Sequence, residues 1–291
     1  MVLESLINPF KAERHPWEMF FIGFLYSSVA IFLALWIFKG HASLVAIFLT
    51  VLACVPFMIN TIRLEQYKET EKLDEMSLLI EHSKALLSFM FLFIGILFSY
   101  LNWYLFLPQV LSCLISPGVA QNITKNLFSI QTNTLLEINT RTITASRFLT
   151  FTEIFLNNFK VLVFSLLFSF IYGAGAIFIL TWNASVIAVA IGNWVKTKTA
   201  MLLTHNTSNI SYLSAYMLGN LRFAIHGTIE ILAYFVGGLA GGLISVAIIN
   251  HTFGTKSFEK VIFDATNLIL IAVLLLVVAA LVEVFIIPVV F

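Results

Sequence analysis

The sequence predicts an all-α membrane protein, a bundle of about six transmembrane helices with one re-entrant half-helix and amphipathic helices at the interface. Hydrophobic residues make up 60% of the 291 residues and charged residues only 11%, whereas a soluble domain carries about 25% charged residues. The apolar residues form long blocks, several of them with the length needed to cross the hydrocarbon core of a bilayer. Such blocks, separated by polar connections, are typical of a polytopic helical bundle.

Composition and motifs argue against several other classes of protein. The formal net charge of +1 gives no basic footprint for nucleic acid. The two cysteines, Cys54 and Cys113, lie in different segments and predict free thiols instead of a disulfide framework or a metal site. The sequence contains no H-E-x-x-H, phosphate-binding or G-x-S-x-G motif. We therefore expect a protein that is not an enzyme and that holds no cofactor and no metal.

The N-terminal region, residues 1–108, predicts an amphipathic lead-in and three spans, at Glu18–Phe38, Ala42–Ile62 and Ala85–Leu107. The first span follows charged residues and continues beyond the length of a cleavable signal core, so it is expected to remain as an anchor. Residues 63–84, between the second and third spans, carry interleaved charges of both signs. They predict a charged helical connector on the cytoplasmic side.

A long polar stretch, residues 109–158, follows the third span. It is rich in Thr, Asn and Ser and holds no apolar block able to cross a membrane, so the sequence predicts an extramembrane loop. Loops of this length are usually functional or ordered on a surface. Within it, Leu127–Ile138 fits an amphipathic helix or a strand, and its periodicity favours neither.

The C-terminal membrane region, residues 159–291, predicts three further spans and a short apolar run. The run, Ala184–Trp194, is too short to cross comfortably and follows the pair Trp182-Asn183, so we expect a re-entrant half-helix there. The other predicted elements are, in order, the span Phe159–Thr181, the amphipathic segment Ile210–Ile225, and the spans Gly227–Asn250 and Ala265–Ile287.

Lysine and arginine near the ends of the spans predict the orientation. With six spans, a cytoplasmic N-terminus places the following basic residues inside: Lys11, Arg14, Arg63, Lys68, Lys72, Lys84, Lys196, Lys198 and Arg222. Fewer basic residues then lie on the opposite side. The sequence therefore predicts a multi-pass protein of the cell membrane whose N-terminus faces the cytoplasm.

Ionisable residues inside the C-terminal spans are the strongest candidates for a functional site. A charge in the membrane is costly, so it needs a partner or a watery cavity. His226 and Glu230 are four residues apart and share a helix face, and Glu283 lies deep in the last span. Two interpretations stay open: a polar clamp that fastens the last two spans, and a site that handles protons or cations.

Further polar residues are candidates to line a cavity, and small residues are candidates for helix packing. Five residues near the ends of the fourth span and of the short apolar run are candidates to line a polar cavity: Glu153, Asn157, Asn158, Asn183 and Asn193. Small residues four apart allow close helix packing in a bilayer, inside the monomer or between subunits. The packing candidates are Gly173, Gly175, Gly237, Gly238, Gly241 and Gly242.

The order of these motifs resembles the stage II sporulation protein M family. The motifs that carry the resemblance are Asn157-Asn158-Phe159-Lys160, Gly173-Ala174-Gly175, His226-Gly227-x-x-Glu230, the glycine-rich span and the last helix with Glu283 and Pro288. The resemblance covers Glu153 to Phe291, and the N-terminal region looks like archaeal members. It implies a membrane scaffold and localiser, which in spore-forming bacteria acts at the division septum with a cell-wall hydrolase and a second membrane partner.

We therefore expect a non-enzymatic membrane scaffold or assembly factor at the cell envelope. Its partners would be the lipid bilayer and membrane or envelope proteins, with a homo-oligomer also open and no nucleic acid. The partner-facing parts would be residues 109–158 and the connector 63–84. A transporter or channel that uses His226, Glu230 and Glu283 is the alternative. A membrane enzyme that binds a metal through the same residues comes third.

Overall fold

The structure, a computed structural model, describes residues 9–70, 75–142, 147–172, 175–203, 210–249 and 255–290. Regular structure in these ranges is helical, which confirms the predicted all-α class. The helices, in chain order, are α1 Pro9–Arg14, α2 Glu18–Ile37, α3 Ala42–Thr70, α4 Glu75–Ser112, α5 Pro117–Leu127, α6 Ser129–Thr142, α7 Arg147–Tyr172, α8 Ala176–Leu203, α9 Ile210–Ile249, α10 Lys256–Leu281, a π-helical turn Val282–Ile286 and α11 Ile287–Val290.

Seven helices in the described ranges are long and apolar enough to cross a membrane. The polytopic bundle is thereby confirmed, whereas the count of six spans with one re-entrant segment is wrong. The candidate spans are Glu18–Ile37, Ala42–Glu65, His82–Ser112, Arg147–Ile171, Ala176–Met201, Tyr212–Ile249 and Phe258–Val290.

The predicted re-entrant half-helix is part of a longer helix. Ala184–Trp194 lies inside α8, which continues without interruption through Trp182 and Asn183. Asn183 does not break the helix because its side-chain Nδ2 donates a hydrogen bond to the Ile179 carbonyl, one turn earlier, at 2.8 Å. The polar pair therefore lies within a spanning helix, as polar groups bonded to their own backbone can.

The fourth candidate span also differs from the prediction. It begins at Arg147, inside the stretch predicted as a loop, and the chain then turns at Gly175 before α8 starts. The predicted span Phe159–Thr181 crossed this turn, because the residues on both sides of it are apolar. A side chain at Gly175 would collide with the carbonyl of Phe168 at the end of α7, so the turn requires glycine. Gly173 lies outside the described residues.

Helix α9 unites two segments that the sequence suggested were separate. The amphipathic segment Ile210–Ile225 and the span that follows it form the single helix Ile210–Ile249. Gly227 at the junction does not interrupt it, because a lone glycine in a helix costs only about 1 kcal/mol relative to alanine.

Helices α5 and α6, residues 117–142, follow each other with only Phe128 between them and together form what we call the platform. The platform packs on the C-terminal half of α4, where Phe128 meets the rings of Tyr100 and Tyr104 edge-on. Gln131 of α6 fastens it to two spans, because its amide nitrogen donates to Ser185 Oγ at 3.3 Å and its oxygen accepts from Ser43 Oγ at 3.0 Å. The predicted loop is therefore largely helical, and Leu127–Ile138 belongs to helices.

Glycines bring the helix backbones close together at two crossings inside the chain. In α9, side chains at Gly237, Gly238 and Gly241 would collide with Leu162 of α7, Ala176 of α8 and the Leu166 carbonyl of α7, and Gly242 is buried beside them. At the second crossing, between α2 and α4, Gly23 faces the Leu92 carbonyl and Gly95 faces the Phe20 carbonyl. The glycine-rich stretch of α9 thus serves packing within the monomer.

Candidate functional site

The strongest candidate site is a group of polar side chains on α7, α9 and the π-helical turn after α10, which we call the intramembrane polar cluster. Its members are Asn158, Arg222, His226, Glu230 and Glu283. All five lie inside candidate spans. Ionisable residues in that setting mark functional sites by default.

Asn158 and Glu230 connect α7 to α9. The Asn158 side chain is buried, and its Nδ2 donates a hydrogen bond of 2.6 Å to Glu230 Oε1. Further along, Leu166 of α7 faces Gly241 of α9, so the two helices run in the same direction. The glycines allow this close approach, which brings an amide on α7 within bonding distance of a carboxylate on α9.

Glu283 joins the cluster from a distorted part of the last span. It lies in the π-helical turn Val282–Ile286, where the Ile287 N–H donates to the Val282 carbonyl instead of the Glu283 carbonyl. Pro288 has no N–H to replace that donor, so the backbone carbonyl of Glu283 loses both helical donors. Such π turns are frequent at functional sites. The π-helical turn packs against α9, the helix that carries Glu230.

Arg222 and His226 complete the cluster on α9. Arg222, His226 and Glu230 are spaced four residues apart and share one helix face. Arg222 lies one helical turn before His226 and is half-buried. His226 is only 9% exposed, and its ring lies against the backbone of Arg222, one turn earlier on the same helix. Glu230 and Glu283 both remain partly exposed at the protein surface.

The structure does not bring the other predicted cavity residues to this cluster. Glu153 and Asn157 are exposed on α7. Asn183 bonds to its own helix, and Asn193 accepts a hydrogen bond of 2.5 Å from the Tyr104 hydroxyl of α4. Of the five residues predicted to line a polar cavity, Asn158 is the one for which the described structure shows a bond to another member of the cluster, Glu230. Nowhere in the described ranges do three His, Cys, Asp or Glu side chains form a group that could hold a metal ion.

A second buried polar group lies where α1 meets α3 and α4, and we call it the ionic network. Lys68 Nζ lies 2.8 Å from Glu13 Oε2 and 2.6 Å from Glu65 Oε1, and Glu65 Oε2 lies 2.6 Å from His82 Nδ1. Ser88 Oγ also donates to the Ala12 carbonyl of α1 at 3.0 Å. The side chains of all four ionisable residues are nearly or fully buried. The network and the platform lie towards opposite ends of α4.

The environment of the ionic network shifts the pKa values of its two members outside the spans. Burial raises the pKa of Glu13, and the nearby Glu65 charge acts in the same direction. Burial opposes the charge of Lys68, but hydrogen bonds to Glu13 and Glu65 outweigh it and raise the pKa of Lys68. The sequence analysis missed this network, because it treated the charges of residues 63–84 as a solvated helix face.

A known protein family matches a large part of the chain. A family model described as SpoIIM, Stage II sporulation protein M, matches residues 85–288. The chain belongs to this family. No curated protein and no solved structure matches the chain significantly.

Membership in the stage II sporulation protein M family confirms the predicted resemblance and extends it towards the N-terminus. The resemblance began at Glu153, whereas the family match begins at Ala85 and so takes in most of α4 and the whole platform. The intramembrane polar cluster lies entirely within the match. All four ionisable residues of the ionic network precede it.

Proposed function

We propose that this member of the stage II sporulation protein M family is a non-enzymatic membrane scaffold or assembly factor at the cell envelope. The observation that carries the proposal is the platform, a helical surface outside the candidate spans that several contacts hold against the bundle. A surface held in this way offers partners a fixed shape, which is what a scaffold needs.

The exposed side of the platform has the character of an interaction surface. Apolar side chains stand among polar ones, with Val119 50% exposed and Leu136 59% exposed. Leu114, in the turn before α5, is 81% exposed. An exposed apolar side chain that a partner covers is removed from water, which favours association. Glu65, Lys68 and His82 of the connector are engaged in the ionic network instead, so the platform is the better candidate for the partner-facing part.

Single substitutions on the platform test the scaffold role. We expect Val119→Glu to reduce the partner proteins recovered with the affinity-purified protein about tenfold, since the interface would then bury a carboxylate without a partner, which is costly. Gln121→Glu, an exposed position on the same helix, adds the same charge without removing apolar surface and is expected to leave recovery unchanged. The measurement is quantitative mass spectrometry after purification from membranes.

Point variants are preferable to deletion of residues 109–158, because the deletion would also remove the start of α7 and the contacts of Gln131. Equal recovery of all partners by wild type, Val119→Glu and Gln121→Glu would contradict a platform-based scaffold. A parallel loss in both variants would show that charge alone disturbs the surface, and it would also count against the proposal.

We further propose that the N-terminus faces the cytoplasm and that the platform faces the opposite side of the cell membrane. Lys11, Arg14, Arg63, Lys68 and Lys84 favour this orientation. With seven candidate spans, Lys196, Lys198 and Arg222 lie on the platform side and not in the cytoplasm. The protein's own cysteines test this, since Cys113 at the platform end is exposed and Cys54 is buried. A membrane-impermeant maleimide should label intact cells at Cys113, and Cys113→Ser should abolish the labelling. A cysteine introduced at Lys11 in the Cys113→Ser background should react only after permeabilisation. Labelling of Cys113 only after permeabilisation would reverse the orientation.

A further inference from the structure

Helix α7 carries two charged side chains on the face that it turns away from the bundle. It is the least buried of the seven candidate spans. Asn158 and Leu162 are buried on the face that lies against α9. Glu153 and Lys160 are exposed on the opposite face. Charges on the outer face of a membrane span need an explanation, because exposed apolar residues there would be in place against lipid.

Lys160 lies near the middle of its span. It is thirteen residues from Arg147 and eleven from Ile171, so roughly 16 Å of helix separates it from the nearer end. Other exposed charged residues in the described spans lie within six residues of a span end. A lysine close to a helix end can extend its side chain to the interface, whereas a charge near the middle of a span is costly unless it is paired.

Neither Lys160 nor Glu153 is neutralised within the described part of the chain. No ion pair or hydrogen bond between described residues involves either side chain. The two residues are seven positions apart, about 10 Å along the helix axis, whereas side chains on one helix pair when they are three or four residues apart. The groups that balance these charges therefore have to come from another molecule.

The exposed face of α7 has the residue spacing of a contact between two helices. Alternating steps of three and four residues connect six exposed side chains, which we call the α7 seam: Glu153, Leu156, Lys160, Val163, Leu167 and Phe170. A second helix packs on a row of this kind at a small crossing angle, in membranes as in coiled coils. Glu153 and Lys160 occupy the same position in successive seven-residue repeats, so one helix can meet both.

The two charges favour a different protein over a second copy of this chain as the occupant of the α7 seam. Two copies inserted in one orientation and related by a two-fold axis along the membrane normal would pair their seams in parallel. Each Lys160 would then face the other Lys160, and each Glu153 the other Glu153. Repulsion between like charges is strong where the dielectric constant is low. A helix that offers the opposite charge at both levels avoids this repulsion.

We propose that the α7 seam binds a transmembrane helix of another membrane protein, one with an acidic residue opposite Lys160 and a basic residue opposite Glu153. The two ion pairs fix the axial register of the bound helix, and the apolar members of the seam pack against its apolar side chains. The inference rests on the scaffold role. It deepens that role by naming a class of partner and a second binding surface besides the platform.

Designed leucine-rich peptides that span the bilayer test the α7 seam. One peptide carries Lys and Glu seven residues apart on one face, and a control of equal composition carries them nine residues apart on opposite faces. Binding to the full-length protein in lipid vesicles is measured by energy transfer between the peptide and a dye on Cys113, which is exposed, whereas Cys54 is buried. We expect the first peptide to bind about tenfold more tightly than the control. Lys160→Leu and Glu153→Leu should each remove this preference. Lys198→Leu, at an exposed position of α8, should preserve it.

Three results would overturn the proposal. The first is equal binding of both peptides by the wild type, and the second is a preference that survives both Lys160→Leu and Glu153→Leu. The third is energy transfer between differently labelled copies of the protein without peptide, lost in Lys160→Leu, because the seam would then join two copies. Val119→Glu should bind the peptide as the wild type does, so a failure of the platform and a failure of the seam are distinguishable. Circular dichroism checks that the leucine variants keep their helical content.

Discussion

Replacement of Gly95 by alanine is expected to force α2 and α4 apart and to destabilise the bundle by about 3 kcal/mol, at the upper end of the range for overpacking. The new methyl group would collide with the Phe20 carbonyl oxygen and lie 2.8 Å from its carbonyl carbon. Because the obstacle is backbone, it cannot rotate away as a side chain could. The expected result is a clearly lower unfolding temperature in detergent or nanodiscs.

Gly23 is the second glycine at the crossing of α2 and α4. A methyl group there would meet the Leu92 carbonyl and lie 3.1 Å from the Ile96 nitrogen, so Gly23→Ala should destabilise the protein to a similar extent. The double variant should lose less than the sum of the single variants, because one added methyl already separates the helices. Additive losses would show that the two glycines do not share a single contact.

Gly227→Ala is the matched control, because a methyl group at Gly227 would meet no atom within 4 Å. Alanine is the better helix former, so this change should raise stability by about 0.5–1 kcal/mol. Equal unfolding temperatures for wild type and Gly95→Ala would contradict the close crossing of α2 and α4.

Hydrophobicity was sufficient to predict the first three spans but not the count of the others. Apolar blocks with charged ends mark α2, α3 and α4 clearly. The turn at Gly175 is hidden because apolar residues continue on both sides, and the bond from Asn183 to its own helix is not visible in the sequence. A polar pair inside a spanning helix therefore resembled the end of a half-helix.

The candidate sites, like the spans, could be predicted from the sequence only in part. Glu230 and Glu283 were predictable, because an ionisable residue inside a span is conspicuous in any sequence. Arg222 was missed as a member of the cluster, since it was assigned to a separate amphipathic segment. The ionic network depends on pairs that are 55 and 17 residues apart in the chain. Such pairs become visible only when tertiary packing brings α1 against α3 and α4.

Replacement of Lys68 by methionine is expected to release α1 and to cost about 3–5 kcal/mol, the range for removing one partner of a buried ion pair. The change would leave Glu13 and Glu65 facing each other without their shared cation, although their side chains are only 8% and 0% exposed. Because the raised pKa of Lys68 lies above that of an unfolded lysine, its contribution is fully present at neutral pH. That contribution should disappear only as the pH rises through the raised value.

Two measurements distinguish this loss from a general weakening of the fold. Trypsin should cleave after Arg14 faster in Lys68→Met than in wild type, because α1 is held by Glu13 and by the Ser88 bond to Ala12. Lys11→Met, which breaks the exposed pair of Lys11 with Glu18, should cost at most about 1 kcal/mol. Adding Glu65→Gln to Lys68→Met should recover part of the stability by removing a buried charge. If Lys68→Met and Lys11→Met unfold at the same temperature, the ionic network does not hold α1 in place.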